Sequence, residues 1–259
     1  MFESAGGKKL IYGERKIRMK KSKKLLLIFM GIVCLLLAAG AYYVNDYYRA
    51  EEKALDSLQS SDAVKVYTIE DDIYVFEPEN IKAGLIFYPG GKVEYTAYAP
   101  LLRQCAENGI LCILPKMPFQ LAVLDMNAAD GVQQYFPKIE EWYIGGHSLG
   151  GSMAAAYLEK HAEEYSGLIL CAAYSTADLS TSSVKVLSMY GSNDGVLNME
   201  KYEENKSNLP ENTAEEVIDG GCHAYFGMYG EQEGDGTPEI GNEEQIKMAA
   251  EAISLFVRD

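Results

Sequence analysis

The apolar positions of this chain change their period three times. Residues 25–44 carry no charge at all. Twenty residues at ~1.5 Å rise span ~30 Å, the thickness of a bilayer's hydrocarbon core. Residues 45–62 are polar and read as a short stalk. The runs 64–69 and 73–76 alternate apolar with polar, which predicts an antiparallel strand pair at a sheet edge. From residue 84 the pattern becomes strand, turn, helix, repeated. The runs 85–88, 110–114, 142–145 and 168–171 are continuously apolar, as strands covered on both faces are, and 184–189 is read as one more strand. A weaker last strand falls at 215–218. Tyr98, Leu101, Leu102 and Cys105 mark one helix face, and Asn108-Gly109 stops that helix. A further helix is expected between 125 and 136. The last helix carries Ile246, Ala250, Ile253 and Val257 on one stripe, with Asn242 as its N-cap. Alternating β and α units predict an α/β domain around a mostly parallel, doubly wound sheet with antiparallel N-terminal edge strands.

Charge divides the chain further. Residues 1–24 hold nine Lys/Arg and two acids, and the remainder holds fourteen Lys/Arg against thirty-six acids. The organisation read from this is a basic tail at 1–24, a transmembrane helix at 25–44, a stalk at 45–62 and a catalytic-type domain at 63–259. Tyr42, Tyr43, Tyr47 and Tyr48 stand where an interfacial aromatic belt belongs. The basic flank places the tail in the cytoplasm and the acidic body outside, on a single-pass cell-membrane anchor. A signal peptide cleaved after Ala39-Gly40-Ala41 is the competing reading. An acidic body without a basic stripe excludes nucleic acid as a partner. Cys34, Cys105, Cys112, Cys171 and Cys222 show no metal spacing, so no metal or cofactor is required. Cys222 beside His223 is read as a packing residue.

The chemistry centres on Gly146-His147-Ser148-Leu149-Gly150, which lies between an apolar strand and an Ala-rich helix. Such a turn exposes the central hydroxyl, and the helix N-terminus favours negative charge beside it. A serine hydroxyl needs a base. Three His are available. His147 adjoins Ser148 and points elsewhere, and His161 lies on a solvated helix end. His223 follows the last strand in Gly220-Gly221-Cys222-His223 and is chosen by position. Asp194, just after the run 184–189, is the acid that would orient it; Asp178 and Asp219 compete. An oxyanion needs two N–H donors. Leu149 supplies one, and the turn Pro89-Gly90-Gly91-Lys92 supplies the other through Gly91. Lys92, Lys116 and Phe119 are candidate substrate-pocket residues. Lys116 could meet an anionic group or one of the many acids. No insertion large enough for a bulky lid separates the serine from the acid strand, so a small or flexible acyl substrate is expected.

These segments resemble the α/β-hydrolase superfamily, and more closely its bacterial dienelactone-hydrolase-like branch, over residues 64–258. The resemblance is carried by Tyr88-Pro89-Gly90-Gly91-Lys92-Val93, Leu114-Pro115-Lys116-Met117-Pro118, Gly145-Gly146-His147-Ser148-Leu149-Gly150-Gly151, Tyr190-Gly191-Ser192-Asn193-Asp194-Gly195 and Gly221-Cys222-His223-Ala224-Tyr225-Phe226-Gly227. Dienelactone hydrolases place a Cys at the nucleophile position, where this chain has Ser148. The resemblance therefore implies the α/β-hydrolase fold and a serine esterase with a Ser148–His223–Asp194 triad. An acyltransferase or peptidase built on the same triad, or a non-catalytic binding scaffold, are the alternatives.

Overall fold

The computed structural model describes residues 21–70 and 72–258. Two units are present, Met1–Tyr43 and Val44–Asp259. The basic tail predicted at 1–24 falls outside the described residues except for its last four. In the first unit, helix α1 (Lys21–Asn45) buries no side chain. Among the described residues it is the one helix long and apolar enough to cross a membrane, by length and composition.

The second unit is an eight-stranded sheet. Its strands are β1 (Val64–Ile69), β2 (Ile73–Pro78), β3 (Ala83–Tyr88), β4 (Ile110–Pro115), β5 (Trp142–His147), β6 (Gly167–Cys171), β7 (Lys185–Gly191) and β8 (Ala214–Ile218). Their order across the sheet is β1-β2-β4-β3-β5-β6-β7-β8. β1 and β2 run antiparallel, and β2 runs antiparallel to β4. The pairs from β4 through β3 to β8 are parallel. β3, β4, β5 and β6 are buried along their whole length. That is why they read as unbroken apolar runs: alternate side chains point to opposite faces, and both faces are covered.

One face holds Leu85, Phe87, Ile169 and Met189 against α3 (Ala99–Glu107) and α6 (Asn242–Phe256). The other holds Ile86, Ile144, Leu168 and Leu170 against α4 (Leu149–His161). β8 exposes Glu215 and Glu216 at the sheet edge, where charge discourages pairing with another chain. α5 (Met199–Asn205) bridges β7 to β8 and starts on Asn198, whose side chain accepts from Lys201 N.

Three expectations change. The last helix is capped at Gly241 and not at Asn242, whose side chain donates instead to the carbonyls of Tyr225 and Gly227. The helix expected between 125 and 136 is absent; 3-10 turns at Ala122–Leu124 and Val132–Tyr135 stand there instead. Tyr88 explains the loss. Its hydroxyl accepts from Ala129 N and donates to Met126 O, capturing backbone groups that a helix would have paired internally. Gly131 in the left-handed region then turns the chain again.

The polar segment 45–62 is not a free stalk but a strap on the domain. Tyr48 N donates to Lys92 O, Glu94 N to Tyr48 O, and Glu51 N to Met228 O. Ala54, in the short helix α2 (Glu52–Asp56), is fully buried, and Ala50 and Leu58 pack on the same core. Arg103 fastens the end of the strap through the carbonyls of Ser57 and Gln59.

Candidate active site

Ser148 occupies the turn between β5 and α4 with φ 50° and ψ −121°. A side chain rarely adopts that left-handed backbone, so the turn is strained and the surrounding structure holds it there. The hold is visible. Ser148 N donates to Cys171 O at 2.9 Å, and Ser152 N donates to Ser148 O at 3.1 Å. A Cβ on Gly150 would drive into the carbonyl oxygens of Tyr88 and Pro89, so only glycine lets α4 start this close to the end of β3.

Asp194 and His223 are brought together at the carboxyl ends of β7 and β8. His223 Nδ1 lies 2.9 Å from Asp194 Oδ2, and both side chains are buried. The other carboxylate oxygen, Oδ1, accepts from Val196 N at 2.9 Å and Leu197 N at 2.7 Å. A carboxylate only accepts, so His223 carries its proton on Nδ1 and presents the lone pair of Nε2. Among the described residues the Ser148 hydroxyl makes no hydrogen bond, to His223 or elsewhere. In enzymes with this arrangement the serine–histidine contact commonly tightens only when substrate is bound. The rival acids are occupied elsewhere: Asp178 caps Ser180 through both its N–H and its hydroxyl, and Asp219 is exposed. His161 stacks on Tyr157 and pairs with Glu164 at the far end of α4.

His147 is buried behind this pair, its ring centroid 4.6 Å from that of His223. Tyr98 links it to the turn after β3. Gly90 N donates to the Tyr98 hydroxyl at 3.0 Å, and that hydroxyl lies 2.8 Å from His147 Nδ1. Having accepted from Gly90, the tyrosine donates to Nδ1, which puts the His147 proton on Nε2. Burial, and then the neighbouring His223, hold the His147 pKa well below its usual value, so the ring stays neutral. Its Nε2 finds no partner among the described residues.

The same bond sorts the donors of the turn. With Gly90 N consumed by Tyr98, the next N–H, on Gly91, has no acceptor among the described residues. Leu149 N, at the start of α4, is likewise unpaired. The two residues touch: a Cβ on Gly91 would sit 2.9 Å from Leu149 Cδ2.

The sequence reading missed Asp235. Its carboxylate accepts from Gly195 N at 3.0 Å on the Asp194 turn, and from His223 N at 3.1 Å and Ala224 N at 2.8 Å on the histidine turn. Gly236 N adds a fourth donor at 2.8 Å. Burial alone would raise its pKa, but these backbone donors outweigh burial and hold it below the usual value. An Asp flanked by glycines was the available signal, since such a carboxylate readily gathers backbone N–H groups. Gln245, fully buried, ties Cys222 from the other side by accepting from its N–H and donating to its carbonyl. Burial, with the nearby Asp235 charge, pushes the Cys222 thiol up to about 12, which leaves it unreactive at neutral pH.

The three candidate pocket residues separate. Lys116 Nζ pairs with Asp72 at 2.9 Å and lines a groove of ≈ 450 Å³ beside Pro89, Thr96 and Met117. Lys92 Nζ pairs with Asp46 at 2.9 Å, and Phe119 is exposed with φ 52°. Neither of these two lines that groove, and neither do Ser148, Asp194 and His223. Among the described residues no three His, Cys, Asp or Glu side chains come together as a metal site.

Comparison with known proteins adds an independent line. Residues 84–247 match the sequence model of the Alpha/beta hydrolase family. No curated protein matches the chain. Among solved structures, a predicted CIB-like hydrolase from Thermoplasma acidophilum is similar at 15% identity and TM-score 0.54, covering 74% of this chain and 99% of that one. A thermophilic esterase from Thermogutta terrifontis, solved with malate bound, is similar at 13% identity and TM-score 0.55, covering 75% of this chain and 97% of that one. At such identity the likeness is one of fold.

Proposed function

The chain belongs to the alpha/beta hydrolase family, and on that premise we propose that it is a serine hydrolase cleaving an ester or related acyl bond through an acyl-enzyme. Ser148 Oγ attacks the carbonyl carbon while His223 Nε2 takes its proton. Asp194 holds the imidazole in the tautomer that can do so and stabilises the imidazolium that results. The N–H groups of Gly91 and Leu149 receive the carbonyl oxygen as it becomes an oxyanion. The bond to the leaving alcohol then breaks, and His223 returns the proton to that alcohol. Water, activated by the same nitrogen, adds to the acyl carbon; the carbonyl re-forms, Ser148 is released, and a carboxylic acid leaves. With Ser148 in place of a Cys, the reading within the family is an esterase of the dienelactone-hydrolase-like branch.

The observation that carries this reading is the buried His223–Asp194 bond, with its second carboxylate oxygen fixed by two backbone N–H groups. It commits the histidine to one tautomer, and the His223 ring lies 4.6 Å from that of His147, the residue before Ser148. The substrate is a small-molecule acyl compound, and neither metal nor nucleic acid has a part. Helix α1 is the anchor, with residues 1–24 on the cytoplasmic side and the acidic domain outside the cell membrane. A panel of p-nitrophenyl esters of graded chain length tests the activity. Hydrolysis lost in Ser148→Ala supports the reading. Equal rates in Ser148→Ala and wild type contradict it, as does the absence of turnover on the whole panel.

A further inference from the structure

His147 is a buried titratable side chain that the proposed reaction leaves without a task. It is the last residue of β5. Its ring packs among three others, with the His223 centroid at 4.6 Å and those of Tyr98 and Phe226 at 5.7 Å. Filling that space needs no ring nitrogen, and burying two polar atoms costs free energy unless they are paired. One of them is paired. Nδ1 lies 2.8 Å from the Tyr98 hydroxyl, which accepts from Gly90 N at 3.0 Å. The backbone of the turn is pressed onto the same two atoms. A Cβ on Gly90 would lie 2.6 Å from Tyr98 Oη and 2.7 Å from His147 Nδ1.

The direction of these bonds matters. The lone pair on Nδ1 takes the Tyr98 proton, so the tyrosine oxygen turns a lone pair to Gly90 N. Hydrogen bonds in such a chain polarise one another, and an oxygen that donates accepts more strongly. With Gly90 N held in this way, the Gly91 N–H stays without an acceptor among the described residues. We propose that His147 is a positioning residue for the oxyanion turn: through Tyr98 it fixes the peptide before Gly91 and so aims the Gly91 N–H at the carbonyl oxygen of the substrate. The inference rests on the hydrolase reading. It assigns His147 to the side of the reaction that receives negative charge, although the residue adjoins the nucleophile in the chain and its ring touches the base. Without an acceptor at Nδ1, the buried Tyr98 hydroxyl has to re-aim its proton, and its lone pair leaves Gly90 N.

The test uses the full chain in detergent and two probes. One is p-nitrophenyl acetate; the other is its thionoester analogue, in which sulfur replaces the carbonyl oxygen. Sulfur accepts hydrogen bonds weakly, so oxyanion donors favour the oxygen ester. The ratio of kcat/KM, oxygen ester over thionoester, therefore reads those donors. A weaker base or a smaller folded fraction lowers both rates alike and leaves the ratio unchanged. His147→Phe keeps a buried ring without an acceptor. His147→Asn places Oδ1 where Nδ1 stood and gives up the ring packing. The inference predicts that the ratio falls at least about fivefold in His147→Phe and stays within about twofold of wild type in His147→Asn, although the Asn variant leaves a cavity and loses stability to urea. Tyr98→Phe is expected to lower the ratio as His147→Phe does, and the double variant no further. A wild-type ratio in His147→Phe overturns the inference, as does a ratio lower in His147→Asn than in His147→Phe, or additive losses in the double variant. Each of these leaves the hydrolase reading standing. Failure of wild-type protein to hydrolyse either ester, with no fluorophosphonate adduct on Ser148, overturns the hydrolase reading and the inference with it.

Discussion

Replacing Asp235 by Ala removes a carboxylate that ties the backbone of the acid turn to the backbone of the histidine turn. Three N–H donors on those turns, of Gly195, His223 and Ala224, lose their acceptor together. A buried donor left unpaired costs about 1–3 kcal/mol. His223 and Ala224 are both buried, whereas Gly195 can turn to water. The expected loss of stability is therefore roughly 2–6 kcal/mol, read as a lower urea midpoint with an unchanged slope. Asp235→Asn keeps an accepting oxygen but points an NH₂ group at backbone donors, so it falls between wild type and Ala. Activity should suffer beyond stability. At a temperature where all three proteins are folded, kcat on an activated ester should drop at least about tenfold, with KM little changed, since loosening the His223–Asp194 geometry weakens the transition state and not ground-state binding. The acid limb of stability gives a second readout. The folded state holds the Asp235 carboxyl below its usual pKa, so its contribution is complete above the unfolded value of about 3.9 and is lost as pH falls through the lower folded value. Asp235→Asn should flatten that limb. A stability change below about 0.5 kcal/mol in Asp235→Ala, or wild-type kcat, would refute the reasoning.

Other outcomes follow from single contacts. Tyr98→Phe removes the hydroxyl shared by Gly90 N and His147 Nδ1; kcat should fall about tenfold while KM holds, and equal kinetics would mean the turn keeps its conformation unaided. His223→Ala should be nearly as damaging as Ser148→Ala, and the double variant scarcely worse than either; additive losses measured on an activated ester would place His223 outside the unit. Gly150→Ala should give little folded protein by circular dichroism, because its Cβ meets the carbonyls of Tyr88 and Pro89. A chain beginning at residue 46 should be more stable to urea than one beginning at 63, by roughly 2–4 kcal/mol, the worth of the strap's backbone hydrogen bonds and buried Ala54. Equal midpoints would return 46–62 to the status of a free stalk.

The legible parts of the sequence were those where one physical signal dominates. The strands β3 to β6 announce themselves because burial on both faces demands unbroken apolar runs. The Ser148 turn does so because only Gly fits where α4 meets Tyr88 and Pro89. The strap was hidden because its polar composition masks three apolar positions, Ala50, Ala54 and Leu58, spaced four apart. The helix expected between 125 and 136 fails for a reason that sequence spacing cannot display: the Tyr88 hydroxyl reaches across from β3 and takes the backbone groups it needed. Asp235 was hidden in the same way. Its partners are main-chain groups on two distant turns, and nothing along the chain marks which N–H groups a fold will gather. Lys92 was read as a pocket residue, yet it meets Asp46 of the strap; Lys116, read as meeting either an anionic group or one of the acids, meets Asp72 of the β1–β2 hairpin.

The most direct test of the central claim is to treat the folded protein with a fluorophosphonate and map the adduct by mass spectrometry. The account predicts a single covalent adduct on Ser148, strongly slowed in His223→Ala because the base is gone. An unmodified Ser148 in folded wild-type protein, or an adduct on another residue, would contradict it.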